Sequence, residues 1–276
     1  MTDEQILVGG MDPRWAPVRV GDTVRRHAGA SAGPVRELLR HVAAGGFDGA
    51  PRHLGTDEQG REILSWIEGE VPLPPYPTWS MTDRTLADLG LLLRRFHEAS
   101  ASFPQFDPTT EAGEAAAWAT AWADPTGGAE RTDLTICHND LFPENVVFRD
   151  GRVVALIDFA MAAPGRRLWD LAIAAETWAP LGDPARRDNH PVGLDGVARF
   201  GILARSYGLD PGRAGELVEV VTEERVHSIH NIRAEITAGN ESWIRNWAAA
   251  GGDERAADDD RWIAQNRSAL VRAASG

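Results

Sequence analysis

The stretch HNDLFPENVVFRDGRVVALIDF, His138 to Phe159, decides how this chain folds. Asn145 to Phe148 and Val153 to Asp158 are rich in strand-forming residues, and Asp150-Gly151 between them is a strong two-residue turn. A hairpin in that register sets Phe148 opposite Val153 and Asn145 opposite Leu156. Asp158 lies beyond Leu156 on the same face as Asn145, which makes the two diagonal neighbours roughly 7–8 Å apart at the backbone. Asp140 stands in the loop that enters the hairpin.

An amide and a carboxylate converging from that distance can share one magnesium ion or hold two adjacent ones. Magnesium takes oxygen ligands and fills its remaining positions with phosphate and water. A loop carboxylate at Asp140 can meet an acceptor hydroxyl from the side opposite the metal. His-x-Asp-x-x-x-x-Asn followed by Asp-Phe is therefore the working part of a kinase-type phosphoryl-transfer site. Each residue alone has a plainer role: Asp140 as a turn residue, Asn145 as a loop cap, Asp158 as a helix cap. Those roles leave their gathering on one face unexplained.

Working outward toward the amino terminus, Val18 to Arg26 reads VRVGDTVRR, a hairpin about Gly21-Asp22. Val20 then opposes Thr23 and Val18 opposes Arg25, so Arg25 shares the valine face while Arg26 lies beside Arg19 and Val24 on the other. Ile6 to Val8 and Glu62 to Ile67 read as further strands. Ser31 to Val42 reads as a helix with Val35, Leu38, Leu39 and Val42 as its apolar stripe and Gly45-Gly46 as its end. Pro72, Pro74, Pro75 and Pro77 mark a boundary. The expected class is α+β, with a small β-rich nucleotide-binding lobe over residues 1–70 and a larger, mainly helical catalytic and substrate-binding lobe over residues 71–276. Helices are expected over Thr82 to Ser100, Glu114 to Ala123, Asp170 to Trp178, Gly193 to Ser206, Gly212 to Ala238 and Arg261 to Ala274. The acidic run Asp253 to Asp260 reads as a solvated loop and helix start.

The 276 residues are 43% hydrophobic, enough for a sizeable core in one large domain or two lobes. No signal-type segment and no apolar run of membrane-spanning length is present, so a cytoplasmic location without membrane contact is expected. Cys137 is the single cysteine, which rules out an intramolecular disulfide and fits a buried, inert thiol. The net charge of −13 argues against nucleic acid as a partner and is compatible with a cationic small substrate. The chain contains no lysine, so all 28 of its Lys+Arg residues are arginines. Any role that phosphoryl-transfer enzymes give to lysine is filled here by a planar, always charged guanidinium or left empty.

The segments HNDLFPENVVF, VALIDFA and AAPGRRLWDLA resemble the aminoglycoside phosphotransferase and choline kinase-like family, and VGDTVRR, LLRHV and LLRRFHEAS extend the resemblance over most of the chain. The resemblance implies a two-lobed protein-kinase-like fold and a phosphotransferase that moves the γ-phosphoryl of ATP or GTP to a small-molecule hydroxyl. The acceptor it implies is an aminoglycoside-like cation, or else a choline-like, sugar or amino-alcohol metabolite. A nucleotide-binding protein with little transferase activity is the remaining alternative. By resemblance Asp140 is the catalytic carboxylate, His138 supports the catalytic loop, Asn145 and Asp158 hold Mg2+, and Asp170 braces the loop; from the residues alone Asp170 reads as a helix N-cap, and the two roles are compatible. Arg25, or in the alternative Arg26, stands where the family has lysine. Glu37 on the following helix is its natural partner. The strand ending at Ser65, Trp66 and Ile67 would meet the adenine at the inter-lobe hinge. Gly9 to Ala16 occupies the place of the phosphate-covering turn, and Ala160 follows Asp158-Phe159 where a glycine or an acid is common. A monomer or homodimer is expected.

Overall fold

The computed structural model describes residues 4–7, 16–103, 118, 121–126, 133–183 and 189–276. The chain forms a small antiparallel-sheet lobe and a mainly helical remainder, the two-lobed arrangement expected above. The sheet has five strands: β1 Gln5–Ile6, β2 Val18–Val20, β3 Thr23–Arg26, β4 His53–Thr56 and β5 Glu62–Ser65, in the order β1-β2-β3-β5-β4. The β2–β3 hairpin has the register read from Gly21-Asp22, with Val18 opposite Arg25 and Val20 opposite Thr23. Gly21 takes a φ of +60° there, which glycine adopts without a Cβ clash. β3 pairs with β5 so that Val24 faces Leu64 and Arg26 faces Glu62. Helix α1, Ala32–Ala44, buries Val35, Leu38, Leu39 and Val42 and stops at Gly45-Gly46.

Past β5 the chain crosses to the helical lobe at a fixed point. Glu70 and Phe148 exchange both main-chain hydrogen bonds, at 2.7 and 2.8 Å. Gly69 lies so close to the Phe148 carbonyl that a Cβ there would collide with it. Helix α2, Asp83–Ser100, is capped by Thr82, whose hydroxyl accepts from the Thr85 N–H at 3.1 Å. Its stripe Leu86, Leu89, Leu93 and Phe96 is fully buried. Each of these side chains contributes about 2 kcal/mol by leaving water.

The catalytic segment follows on two short ladders. β6 Leu134–Cys137 pairs with β9 Ala163–Arg166, and β7 Val146–Arg149 pairs with β8 Arg152–Leu156. Asp150 and Gly151 make the β7–β8 turn with φ of +52° and +69°, the geometry a two-residue hairpin needs. Phe148 faces Val153 as expected, but a register shift between Val147 and Phe148 then sets Val146, not Asn145, opposite Leu156. Val154 is the extra residue; a bulge of this kind was not visible in the alternation of the sequence. Asn145 instead ends a short 3-10 turn, Pro143–Asn145, just ahead of β7.

Helices α3 Arg167–Trp178, α4 Gly196–Tyr207, α5 Ala214–Thr237, α6 Glu241–Ala249 and α7 Gly252–Ser275 complete the lobe. α4 packs against both α2 and α7, and α3 against α5. The acidic run 253–260 lies inside α7 rather than before it. Arginines take up its charge: Arg233 with Asp253 at 2.9 Å, Arg225 with Asp260 at 2.7 Å, and Arg255 with Asp259 at 3.1 Å. The expected helix from Glu114 to Ala123 lies largely outside the described residues.

Candidate active site

β6 delivers His138, Asn139 and Asp140 to the centre of the molecule, and buried Asp170 on α3 holds them there. Its carboxylate accepts from the main-chain N–H of His138 at 2.7 Å and of Asn139 at 2.9 Å, and from His97 Nε2 at 3.0 Å. His97 Nδ1 in turn meets the Tyr207 hydroxyl at 2.8 Å. A proton on Nε2 leaves Nδ1 as the acceptor for Tyr207. Asn139 adopts a φ of +61°, a conformation asparagine tolerates better than most residues. His138 Nε2 donates to the Ile157 carbonyl at 2.9 Å, and its ring lies 4.6 Å from that of Phe159. Burial pushes the imidazole's pKa down, so it stays neutral. His138 thus ties the loop carrying Asp140 to the residue beside Asp158.

The other side of the loop is pinned to α3. The Leu141 carbonyl accepts from the Thr177 hydroxyl at 2.9 Å and from Trp178 Nε1 at 2.8 Å. Asn145 Nδ2 donates to the Asp140 carboxylate at 2.7 Å and to its main-chain carbonyl at 2.9 Å. That orientation spends the amide's nitrogen on Asp140 and leaves Oδ1 for another partner. Burial, and then the negative charge of Asp158, push the Asp140 carboxyl up to about 7, against a smaller opposing pull from Asn145. Asp158 itself sits at φ +60°, ψ +66°, with its side chain 47% exposed. The Asn145 oxygen and the Asp158 carboxylate are an all-oxygen donor set suited to a hard cation such as magnesium.

In the sheet lobe, the structure turns Arg26 rather than Arg25 toward these carboxylates. Arg26 Nη1 donates to Asp158 at 2.8 Å and Nη2 to Glu62 at 3.1 Å. Arg25 lies on the valine face as read, but that face points away: its guanidinium meets the Thr23 hydroxyl at 2.6 Å and Asp57 at 3.8 Å. The hairpin register was legible; which of its faces meets the cleft goes with the pairing of β3 to β5, which sets Glu62 opposite Arg26. Glu37 does not join the site either. It pairs with Arg40 one helical turn away at 2.8 Å, both side chains being more than half exposed. At the hinge, the Ser65 N–H bonds the Arg52 carbonyl and the Trp66 N–H the Asp22 carbonyl, both at 2.9 Å. Of the three hinge residues, Ile67 alone has a main chain uncommitted among the described residues. Residues 8–15, which hold nearly all of the expected phosphate-covering turn, lie outside the described residues. Nothing in the sequence marks Glu62 or His97: Glu62 is a polar residue at the start of a strand, and His97 a polar residue on a long helix. Cys137 is buried and donates to the Arg166 carbonyl at 3.2 Å, the inert thiol expected.

Residues 18–200 match the model of the phosphotransferase enzyme family. The chain belongs to that family. The phosphotransferase is 36% identical over 233 residues to the trifolitoxin immunity protein of Rhizobium leguminosarum bv. trifolii, covering 82% of each chain. It is 29% identical over 184 residues to a homoserine kinase of Rhodospirillum rubrum, a match that spans only 53% of each chain. Among solved structures, a choline/ethanolamine kinase family protein from Mesorhizobium loti superposes with a TM-score of 0.62 at 19% identity, covering 99% of this chain and 92% of that one. The GDP complex of aminoglycoside 2'-phosphotransferase-IIIa superposes with a TM-score of 0.56 at 15% identity, covering 96% and 93%. At these identities the two structures speak for the fold, and the family match makes the protein a small-molecule phosphotransferase.

Proposed function

We propose that the phosphotransferase moves the γ-phosphoryl group of ATP or GTP to a hydroxyl of a small molecule, with Asp140 as the catalytic carboxylate. The observation that carries this is the placing of Asp140: a carboxylate held at 2.7 Å by Asn145 Nδ2, beside Asp158, on a loop whose His138 and Asn139 N–H groups are fixed by Asp170. The acceptor oxygen gains the bond to phosphorus, the bond from phosphorus to the nucleoside diphosphate breaks, and the acceptor's proton passes to an Asp140 oxygen. Asn145 and Asp158 would hold magnesium, which supplies positive charge to the phosphates when bound. Arg26 adds a fixed charge on the sheet side, Asp170 and His138 keep the loop in place, and Ile67 offers main-chain groups to the base.

Two acceptor classes have support. The trifolitoxin immunity relative favours a toxin-like or antibiotic-like acceptor, and the acidic balance of −13 suits a cationic one. The homoserine kinase relatives favour an amino-alcohol metabolite. A panel of both classes, scored by nucleoside diphosphate release with ATP and with GTP, separates them. If no acceptor raises release above the wild-type background and Asp140→Ala leaves that background unchanged, the transferase reading fails. The division into nucleotide and catalytic lobes belongs near residue 70, where Glu70 bridges to Phe148. The nucleotide co-substrate points to the cytoplasm, and among the described residues no helix is long and apolar enough to cross a membrane. A monomer or homodimer completes the proposal.

A further inference from the structure

We propose that Glu62 is the positioning residue that holds Arg26 at the phosphate end of the site, in the place Glu37 was expected to fill. This rests on the phosphoryl-transfer reading. Glu62 is the first residue of β5 and the direct cross-strand partner of Arg26. Its side chain is 2% exposed, and its carboxylate accepts from Arg26 Nη2 at 3.1 Å. Helix α1 contains one acid, Glu37, and that acid points to solvent. Arg36 and Arg40 lie within electrostatic reach of His53, as Glu62 and Glu37 also do, but of the two acids it is Glu62 that hydrogen-bonds Arg26. The acid facing Arg26 from this side of the sheet therefore comes from the sheet itself.

Arg26 is divided between two carboxylates. Nη2 is committed to Glu62, Nη1 to Asp158, and Nε is buried without a hydrogen-bond partner among the described residues. Asp158 is the exposed partner and Glu62 the buried one. A phosphate arriving with its cation competes for Asp158, so Nη1 is the donor free to change partners, while Nη2 on Glu62 keeps the guanidinium from following. Directly opposed strand residues hold their Cβ atoms about 5 Å apart through the ladder hydrogen bonds. The reach of Arg26 is thus set by strand register and is insensitive to movement of α1.

The test is a double-mutant cycle on the full chain with Glu62→Gln, Glu62→Asp, Arg26→Ala and Arg26→Ala/Glu62→Gln, and Glu37→Ala as the control. Two readouts apply: kcat and KM for the best acceptor, and affinity for a fluorescent ATP analogue in chelator, where arginine meets phosphate without metal. Glu62→Gln is expected to lower kcat about ten- to hundred-fold, the scale of a misplaced charged group, with the acceptor KM unchanged and analogue affinity reduced. The double variant should lose no more than Arg26→Ala alone, Glu62→Asp should recover part of the loss, and Glu37→Ala should match wild type. Wild-type kcat and affinity in Glu62→Gln beside a defective Arg26→Ala would overturn the assignment, as would losses that multiply in the double variant. Should Glu62→Gln fail to fold, the same cycle run with Glu62→Asp decides. A wild-type chain that neither binds the analogue nor turns over would sink the phosphoryl-transfer reading itself, whereas a working wild type inactivated by Asp140→Ala isolates the failure to Glu62.

Discussion

Replacing the catalytic carboxylate should stabilise the metal-free protein at alkaline pH. Asp140→Asn keeps the shape of the side chain and an oxygen to accept from Asn145 Nδ2. What it removes is a buried negative charge beside Asp158. The Asp140 carboxyl rises from an ordinary 3.8 to about 7 in the folded chain. Between those values the native state binds a proton that the unfolded chain has released, so stability falls as pH rises. At about 1.36 kcal/mol per pH unit, wild type loses roughly 2–3 kcal/mol between pH 5 and pH 7 and little more beyond it. The Asp140→Asn protein loses none of this, and every other titrating group is common to both. Urea denaturation in chelator at pH 5, 6, 7 and 8 measures it: the stability gap between variant and wild type should widen by about 2–3 kcal/mol across the series at constant m-value. Magnesium with nucleotide should shrink the gap, because a cation on Asn145 and Asp158 favours the ionised carboxylate. A gap that stays flat with pH would refute the argument, since it would mean that Asp140 titrates alike in both states.

Removing the acceptor that holds the catalytic loop, by Asp170→Ala, strands the N–H groups of His138 and Asn139 and one donor of His97; at about 1–3 kcal/mol for each buried unpaired donor, the expected loss is at least about 3 kcal/mol, and an unchanged urea midpoint would count against it. Gly69→Ala forces a methyl group onto the Phe148 carbonyl and should break the Glu70–Phe148 bridge. Hydrogen exchange of the Glu70 and Phe148 amides should then quicken while α2 stays protected, and unchanged protection would exclude the effect. Asn145→Ala and Asp158→Ala should each abolish the rise in melting temperature that magnesium adds to nucleotide-bound wild type; a full rise in either variant removes that residue from the metal site.

Much of this site is local, and local chemistry is readable. The Asp150-Gly151 turn, the Gly21-Asp22 hairpin and the stripes of α1 and α2 are each written in a few consecutive residues, because turn geometry and helical period depend on near neighbours. Asp140, Asn145 and Asp158 come from the same short stretch, but the register that made Asn145 and Asp158 cross-strand neighbours does not hold, because Asn145 ends the 3-10 turn ahead of β7. Other features needed distant partners. The bulge at Val154 arises in the ladder with β7, and α6 lacks a buried stripe to announce it. His97 gains its meaning only where α2 crosses Asp170, far along the chain. The choice between Arg25 and Arg26 shows the division most sharply. Sequence alone determined that no lysine can serve, so that the role falls to an arginine or stays empty, and that Arg25 and Arg26 point to opposite faces, since strand side chains alternate. Only the tertiary structure decided for Arg26, because which face of a strand meets the cleft depends on what packs against it: β5 brings Glu62 opposite Arg26, and the catalytic hairpin brings Asp158 within 2.8 Å of its guanidinium.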